Sequence, residues 1–137
     1  MADYNWLNDY IGIPYECNGR GPDAFDCYGL VLDVYKKQLG VTLPDWTVDD
    51  SLAKTAMRIM SGAVGEEIDA GRAVKVSLPR DFDIMVLIRH QMAHHVGICV
   101  AGGVLHTKKG GAGVLFEPLT NFESAGRGRI EVYRWRV

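Results

Sequence analysis

The hydrophobic pattern of this chain changes its period near residue 81. Before that point, apolar residues recur at helical spacing in segments 4–12, 24–40 and 51–60. After it, short runs rich in β-forming residues are separated by turns, at residues 82–89, 94–100, 104–108, 113–118 and 129–137. Helices followed by an antiparallel meander of about five strands place the chain in the α+β class. A weaker alternation at residues 74–78 predicts a further strand or an extended loop.

Length and charge narrow the possible classes of protein. The 137 residues suit a single domain, 1–137, with a core of its own. The net charge of −2 indicates no broad basic surface for nucleic acid. No run approaches the ~20 apolar residues of a membrane span, and the first residues lack the pattern of a secretory signal. We therefore expect synthesis in the cytoplasm without a signal peptide.

The segment Ala24 to Gly40 predicts a helix with a cysteine in its first turn. Asp26 is a suitable N-cap and Gly40 a suitable C-cap. Cys27 then lies where free backbone N–H groups and the helix dipole lower the pKa of a thiol, as a nucleophile requires. The alternative is a small buried residue that packs the helix.

A nucleophilic cysteine needs a base, and histidines on the later strands are candidates. His95 can take the thiol proton, and a third polar group such as His106 can orient its ring. A hairpin turn at Gly102-Gly103 would pair Cys99 with His106, which puts both histidines on one face but separates them by about 13 Å along the strands. Contact would require a bulge, a strong twist or a looser loop.

Metal binding is the rival chemistry. His90, His94 and His106, with Cys99 or an aspartate, could be ligands, but their spacing matches no strong signature. The three cysteines form no CxxC pair, which argues against a structural zinc site and against a disulfide framework. We expect neither a metal nor a cofactor.

The glycine- and proline-rich segment before the predicted helix is expected to be a structured loop. Such loops often form sites, because the free N–H groups of the helix point into them. Tyr15 carries the hydroxyl of greatest interest there, although a tyrosine that packs the loop is an equally good interpretation.

Taken together, these segments resemble the NlpC-type cell-wall peptidases. YIGIPYECNGRGPDAFDCYGLV is similar to the family pattern YxGxPYxxGGxxPxxFDCSGLV, and VYKKQLGVTLPDW to its helix end and GxxLP connection. DFDIMVLIR stands where the family has GDLVFF, and HHVGICVAGGVLHTKKG resembles HVGIYLGDGxFIHA. The resemblance covers most of the chain in order.

The resemblance implies a compact papain-like fold and a set of site residues. Cys27 would be the nucleophile, His95 the general base with Nε2 facing the thiol, and His106 the orienting residue. Tyr15 would border the site and help to hold the oxyanion. Asp26 and Tyr28, which flank Cys27, are further substrate-binding or oxyanion candidates. The implied substrate is the peptidoglycan stem peptide, commonly cleaved at a D-γ-glutamyl bond.

The chain departs from the family pattern at several positions. Tyr28 replaces a serine, Cys17 and Asn18 replace an aromatic residue and a glycine, and Phe82 stands where a glycine usually precedes the aspartate. The DCYGLV form is more similar to phage-encoded members, so we expect a virion-carried protein with phage tail proteins as partners. The alternatives are a structural tail protein with little or no activity, and a papain-like amidase or acyltransferase.

Overall fold

The computed structural model describes residues 3–43, 71–89, 92–124 and 128–136. Within these ranges, six strands form a single sheet. The α+β prediction is therefore confirmed, and the predicted number of about five strands is close to the observed six. The strands are β1 (Ala73–Val76), β2 (Ile84–Arg89), β3 (Met92–Val100), β4 (Gly103–His106), β5 (Leu115–Pro118) and β6 (Arg129–Trp135). The helix predicted at 51–60 lies outside the described residues.

The sheet is a meander with two added strands. Its order is β1-β6-β2-β3-β4-β5, with every neighbouring pair antiparallel. Strands β2 to β5 follow one another as predicted, but β6 returns across the sheet to pair with β2. The short helix α2 (Thr120–Ser124) contacts both β5 and β6 and so turns the chain back. The weakly alternating segment near residue 74 forms β1, which pairs with β6 at the edge of the sheet.

The predicted cysteine helix is present and begins as expected. Helix α1 spans Cys27–Val34, and the Asp26 side chain accepts a hydrogen bond from the Gly29 N–H at 2.6 Å. The chain continues as one π-helical turn, Tyr35–Leu39, and ends at Gly40, whose φ of 67° is left-handed. Leu30, Val31 and Val34 have no exposed surface, which confirms the predicted buried stripe.

The two faces of the sheet have separate hydrophobic clusters. Helix α1 packs on β3 and shares a cluster with Val96, Ile98 and Val100. On the other face, Phe122 of α2 packs with Met85, Leu87, Cys99, Val104 and Val132. Strand β3 therefore contributes alternate residues to both faces of the sheet.

Two residues that depart from the family pattern have unusual backbone conformations. Asn18 has φ 58° and Phe82 has φ 74°, both left-handed, at the two positions where the resemblance expects glycine. Asparagine tolerates this conformation better than phenylalanine does. The Phe82 ring stacks on Trp6 of the 3₁₀ helix Asn5–Asp9, with centroids 5.8 Å apart, and its carbonyl accepts a hydrogen bond from the Tyr35 hydroxyl. Packing thus holds the strained residue in place.

Candidate active site

The hairpin between β3 and β4 sets the position of His106. Val100 pairs with Gly103, so the turn residues are Ala101 and Gly102, with φ values of 52° and 78°. Two successive left-handed residues are typical of the tight turns that suit the twist of a hairpin. The prediction of a Gly102-Gly103 turn is therefore wrong by one residue, which shifts the pairing by two. His106 lies beside Gly97, where an added Cβ would be 3.0 Å from the His106 Cβ.

A bulge in β3 changes the direction in which the His95 side chain projects from the same strand. Leu87 of β2 pairs with His95, but the next residue, Ile88, pairs with Ala93, so β3 carries one extra residue, His94. A bulge bends a strand and increases its twist, which re-aims the adjacent side chain. With the register and the bulge combined, His95 Nε2 lies 2.9 Å from His106 Nδ1. The pair that the predicted register kept about 13 Å apart is in direct hydrogen-bond contact.

The hydrogen-bonded chain continues to Glu117, which the sequence interpretation missed. Glu117 Oε1 on β5 lies 2.9 Å from His106 Nε2, and Asn121 Nδ2 donates to the other carboxylate oxygen at 3.3 Å. His106 is only 1% exposed and His95 8%. The available signal was one acidic residue inside the apolar run GVLFEPL, but its partner depended on the pairing of β4 with β5.

The carboxylate end of this chain determines where protons lie. An ionised carboxylate can only accept, so Glu117 requires a proton on His106 Nε2. The Nδ1 of a neutral His106 in this tautomer carries a lone pair that can accept from His95 Nε2–H, and the direction of this hydrogen bond depends on the tautomer. In that tautomer, Nδ1 is the basic ring nitrogen of His95. The expectation that Nε2 faces the thiol is wrong, because that nitrogen is already bonded to His106.

Cys27 lies at the start of α1 against β3. The backbone N–H of Val96, the residue after His95, donates to its sulfur, as do the N–H groups of Cys27 and Tyr28. These donors lower the thiol pKa, as expected at a helix N-terminus. Burial, followed by the charge of Asp26, outweighs them and raises the pKa of Cys27 to about 12. The predicted net lowering of the thiol pKa is therefore wrong for the resting protein.

Tyr15 connects Cys27 to a groove. Burial is the largest cause of the raised pKa of the Tyr15 hydroxyl, followed by the charges of Cys27 and Cys17, and the phenol also hydrogen-bonds Cys17. Tyr15 and Cys17 line a groove of about 480 Å³ together with Gly12, Pro14, Glu16 and the segment 109–113. The groove wall carries one acidic and one basic side chain, Glu16 and Lys109, among mostly small residues.

Asp26 and Tyr28 act from within the protein. The Asp26 side chain caps α1 and also pairs with Arg20 Nη1 at 2.8 Å. Tyr28 is 4% exposed and belongs to the cluster under α1. Neither side chain lines the groove. The charge of Asp26 raises the pKa of the Cys27 thiol, whereas the backbone N–H of Tyr28 lowers it.

The rival metal interpretation depends partly on residues that lie outside the description. His90 and the side chain of His94 are not among the described groups. In the described ranges, no three His, Cys, Asp or Glu side chains converge in a way that could hold a metal ion. Within the same part of the chain, no helix has the length and hydropathy needed to cross a membrane.

Comparison with known proteins identifies the family. The model of the NlpC/P60 family matches residues 12–125. The chain belongs to the NlpC/P60 family. That match contains the loop before α1, the cysteine helix and the strands that carry both histidines.

Individual relatives match over shorter stretches. "Protein P54" of Enterococcus faecium is 34% identical over 64 residues, 47% of this chain. The "Gamma-DL-glutamyl hydrolase" of Bacillus subtilis (strain 168) is 42% identical over 50 residues, 32% of this chain. The matched part is 12% of the length of each of these relatives.

Solved structures agree with the fold. The NlpC/p60 domain of the peptidoglycan hydrolase SagA superposes with a TM-score of 0.60 at 24% identity, covering 92% of this chain and 91% of that one. NlpC1 from Trichomonas vaginalis gives a TM-score of 0.62 at 18% identity, covering 96% and 41%. At these identities the likeness shows the papain-like fold.

Proposed function

We propose that the protein is a cysteine peptidase that hydrolyses D-γ-glutamyl-type bonds in the stem peptide of peptidoglycan. The observation that carries the proposal is the chain His95–His106–Glu117, with 2.9 Å at each contact, next to a cysteine at a helix N-terminus. Membership of the family and the named activity of the Bacillus relative support this substrate class.

The mechanism is acyl transfer through a thioester. His95 Nδ1 takes the proton from Cys27, and the sulfur attacks the amide carbonyl. The backbone N–H of Cys27 and the Tyr15 hydroxyl stabilise the oxyanion. His95 then gives its proton to the leaving amine as the C–N bond breaks. Water, deprotonated by the same nitrogen, hydrolyses the thioester and restores the thiol.

Because burial raises the pKa of the Cys27 thiol, the base must act as the substrate reacts. Burial opposes an isolated thiolate, so an ionised Cys27 requires the imidazolium of His95 as its partner. The groove next to Tyr15, with Glu16 and Lys109 on its wall, suits a charged peptide better than a lipid chain. This favours the peptidase over an acyltransferase that acts on lipids.

The rate of cysteine alkylation against pH tests the proposal. Cys99 is a matched internal reference, because burial also raises its pKa to about 12. We expect iodoacetamide to modify Cys27 at neutral pH and Cys99 far more slowly, with mass spectrometry resolving each site. The variant His95→Ala should slow Cys27 to the rate of Cys99. Equal rates for the two cysteines in the wild type would contradict the proposal.

Substrate class is tested with synthetic stem peptides. We expect the γ-linked D-glutamyl peptide to be cleaved and its α-linked isomer to be resistant, with the products identified by mass spectrometry. Cleavage of both isomers at equal rates would argue for a general peptidase. Cleavage of neither would exclude the proposed substrate.

A structural phage-tail protein with little activity is the second candidate. The observation in its favour is the burial of Cys27, which is 6% exposed with a raised thiol pKa. An inert Cys27 that is indifferent to His95, in a folded protein that binds tail proteins, would favour this function. Virion location would be tested by detecting the chain in purified tails.

A further inference from the structure

Lys109 contributes a cation to the wall of the groove next to Tyr15. One side of this groove is the loop before α1, and the other is the segment 109–113, which follows β4. We propose that Lys109 is a specificity-determining residue that binds the free α-carboxylate of a γ-linked D-glutamyl residue. The inference rests on the proposed function for the reaction that follows, whereas the binding itself can be measured without any cleavage.

The first wall of the groove is tied to the start of the cysteine helix. The Phe25 N–H donates to the Pro14 carbonyl at 3.0 Å, and the Phe25 carbonyl accepts from the Glu16 N–H at 3.1 Å. These two bonds bracket Tyr15, and Phe25 is two residues before Cys27. After burial, the charge of Cys27 is the next cause of the raised pKa of the Tyr15 hydroxyl. This wall is therefore adjacent to the proposed nucleophile.

The second wall continues from the strand that carries His106 and is fixed against the first. The Gly12 N–H donates to the Val114 carbonyl at 2.8 Å, and the Val114 N–H donates to the Ile13 carbonyl at 2.9 Å. Gly113 fits tightly at this contact, since an added Cβ would lie 2.6 Å from the Ile13 carbonyl oxygen. The groove is therefore bounded by two segments joined through their backbones, one from each half of the candidate site.

Lys109 supplies the long side chain of the second wall. The rest of that wall, residues 110–113, consists of three glycines and one alanine. Among the described residues, neither the Lys109 ammonium nor the Glu16 carboxylate on the opposite wall has an ion-pair or hydrogen-bond partner. The two charges therefore do not pair across the groove, and the space between them is open to a ligand. A lysine binds a carboxylate as a compact point charge.

The chemistry of a γ-linked glutamyl residue matches this arrangement. Its side-chain carbonyl forms the scissile amide, so its α-carboxyl group stays free and is ionised at neutral pH. Only Cα and two methylene groups separate this carboxylate from the reacting carbonyl. With that carbonyl at Cys27, the carboxylate can extend into the adjacent groove, where Lys109 attracts it and Glu16 repels it from the opposite wall. An amidated α-carboxyl group has nearly the same shape without the charge, so Lys109 should distinguish the acid from the amide.

Peptide binding to a Cys27→Ala protein tests the inference without turnover. The two probes are the tripeptide L-Ala-γ-D-Glu-L-Lys and its D-isoglutamine analogue, which differ only in the α-carboxyl group. By NMR titration, we expect the acid to bind about fivefold more tightly than the amide, as for an exposed ion pair. Added Lys109→Met should reduce this ratio to about one. Lys108→Met is the matched control, because the neighbouring lysine does not line the groove and its loss should keep the ratio.

Ionic strength separates a charge effect from a change of shape. Salt screens exposed charges, so the affinity for the acid should fall toward that for the amide between about 0.05 M and about 0.5 M salt. The affinity for the amide should change little over the same range. A preference for the acid that does not respond to salt would contradict an ion pair with Lys109.

The outcomes separate this inference from the proposed function. Equal affinity for the two peptides, binding of neither, or a preference that survives Lys109→Met would overturn the role of Lys109. The comparison of the two peptides decides the first two points without any Lys109 variant. A wild-type protein that cleaves the acid and the amide equally well would keep the peptidase and remove this inference. Selective binding with a Cys27 that is inert to alkylation would keep the recognition and remove the peptidase.

Discussion

The start of α1 and the hairpin strands β3 to β5 supply the two halves of the candidate site by different means. At the helix start, backbone groups surround the sulfur, and burial raises the pKa of the Cys27 thiol to about 12. On the strands, side chains form a chain of hydrogen bonds that ends at a carboxylate. In the proposed mechanism, the first region holds the nucleophile and the second holds the base.

If the proposed mechanism is correct, neither region should be reactive without the other. A thiol with this environment would be inert at neutral pH, as expected for Cys99. The histidine chain has no nucleophile of its own. We therefore expect reactivity at Cys27 to depend on the contact between α1 and β3, and variants that affect one region at a time should show it.

The largest effect is expected from removal of the nucleophile. Cys27→Ala should abolish hydrolysis, with a loss of at least about 10³-fold, because no other group in the mechanism can form the thioester. Cys99→Ala removes an equally buried thiol from the opposite cluster and should keep the activity, at a cost of about 1 kcal/mol in stability. Peptide cleavage by purified, folded variants is the measurement. Equal losses in the two variants would remove the distinction between the thiols.

Alanine substitutions at two glycines, one in each region, test how tightly the two regions are packed. A Cβ at Gly29 would lie 1.9 Å from the Gly19 carbonyl oxygen, so backbone would have to move. We expect Gly29→Ala to lower the free energy of unfolding by about 3 kcal/mol or more. At Gly97 the nearest atoms are Val104 Cγ1 at 2.7 Å, and His106 Cβ and the Leu105 carbonyl oxygen at 3.0 Å. This overlap is smaller than at Gly29, so the cost should be about 1–2 kcal/mol.

Urea unfolding of Gly29→Ala and Gly97→Ala measures the two changes in the free energy of unfolding. Gly40→Ala serves as the control for left-handed strain alone, because an added Cβ there meets nothing within 4 Å. Its expected cost is about 1 kcal/mol. If Gly97→Ala proved the more destabilising of the two site variants, the strands rather than the loop–helix contact would be the tighter region.

The same two regions also differ in how well their sequences predicted them. The start of α1 depends on local signals, Asp26 as the cap and apolar residues at helical spacing, and the structure has both. The contact between His95 and His106 depends on which two residues form a turn. The glycine pair favoured Gly102-Gly103, but Ala101 adopts the left-handed conformation instead, which moved His106 by two positions along β3.

Features that arise only from packing could not be predicted. Glu117 joins the site through the pairing of β4 with β5, which no local pattern specifies. The raised thiol pKa reflects burial, whereas the sequence showed only the helix terminus that opposes it. Phage-tail association and the roles assigned to Tyr15, Asp26 and Tyr28 stay predictions.

A smaller effect is expected at Tyr15, on the loop between the two regions. Tyr15→Phe removes the hydroxyl proposed for the oxyanion and should lower kcat about tenfold to a hundredfold with little change in KM. Tyr10→Phe is a matched control from the same part of the chain, because its hydroxyl bonds Asp33 instead. The Tyr10 variant should lose stability but not kcat. An unchanged kcat in Tyr15→Phe would leave Tyr15 with a packing role.

The smallest effect isolates the electrostatics of the helix start. The charge of Asp26 raises the pKa of Cys27, and asparagine is as good an N-cap as aspartate. In the His95→Ala background, where the base is absent, Asp26→Asn should therefore lower the thiol pKa. Below that pKa the thiolate fraction rises, so alkylation of Cys27 at pH 9 should become a few-fold faster.

Asp33→Asn, on the same helix but bonded to Tyr10 and Lys37, is the control and should leave the rate unchanged. Slower alkylation in the Asp26 variant would mean that its carboxylate acts mainly by holding the backbone donors on the sulfur, and the contrast between the two regions would then be one of geometry and not of charge.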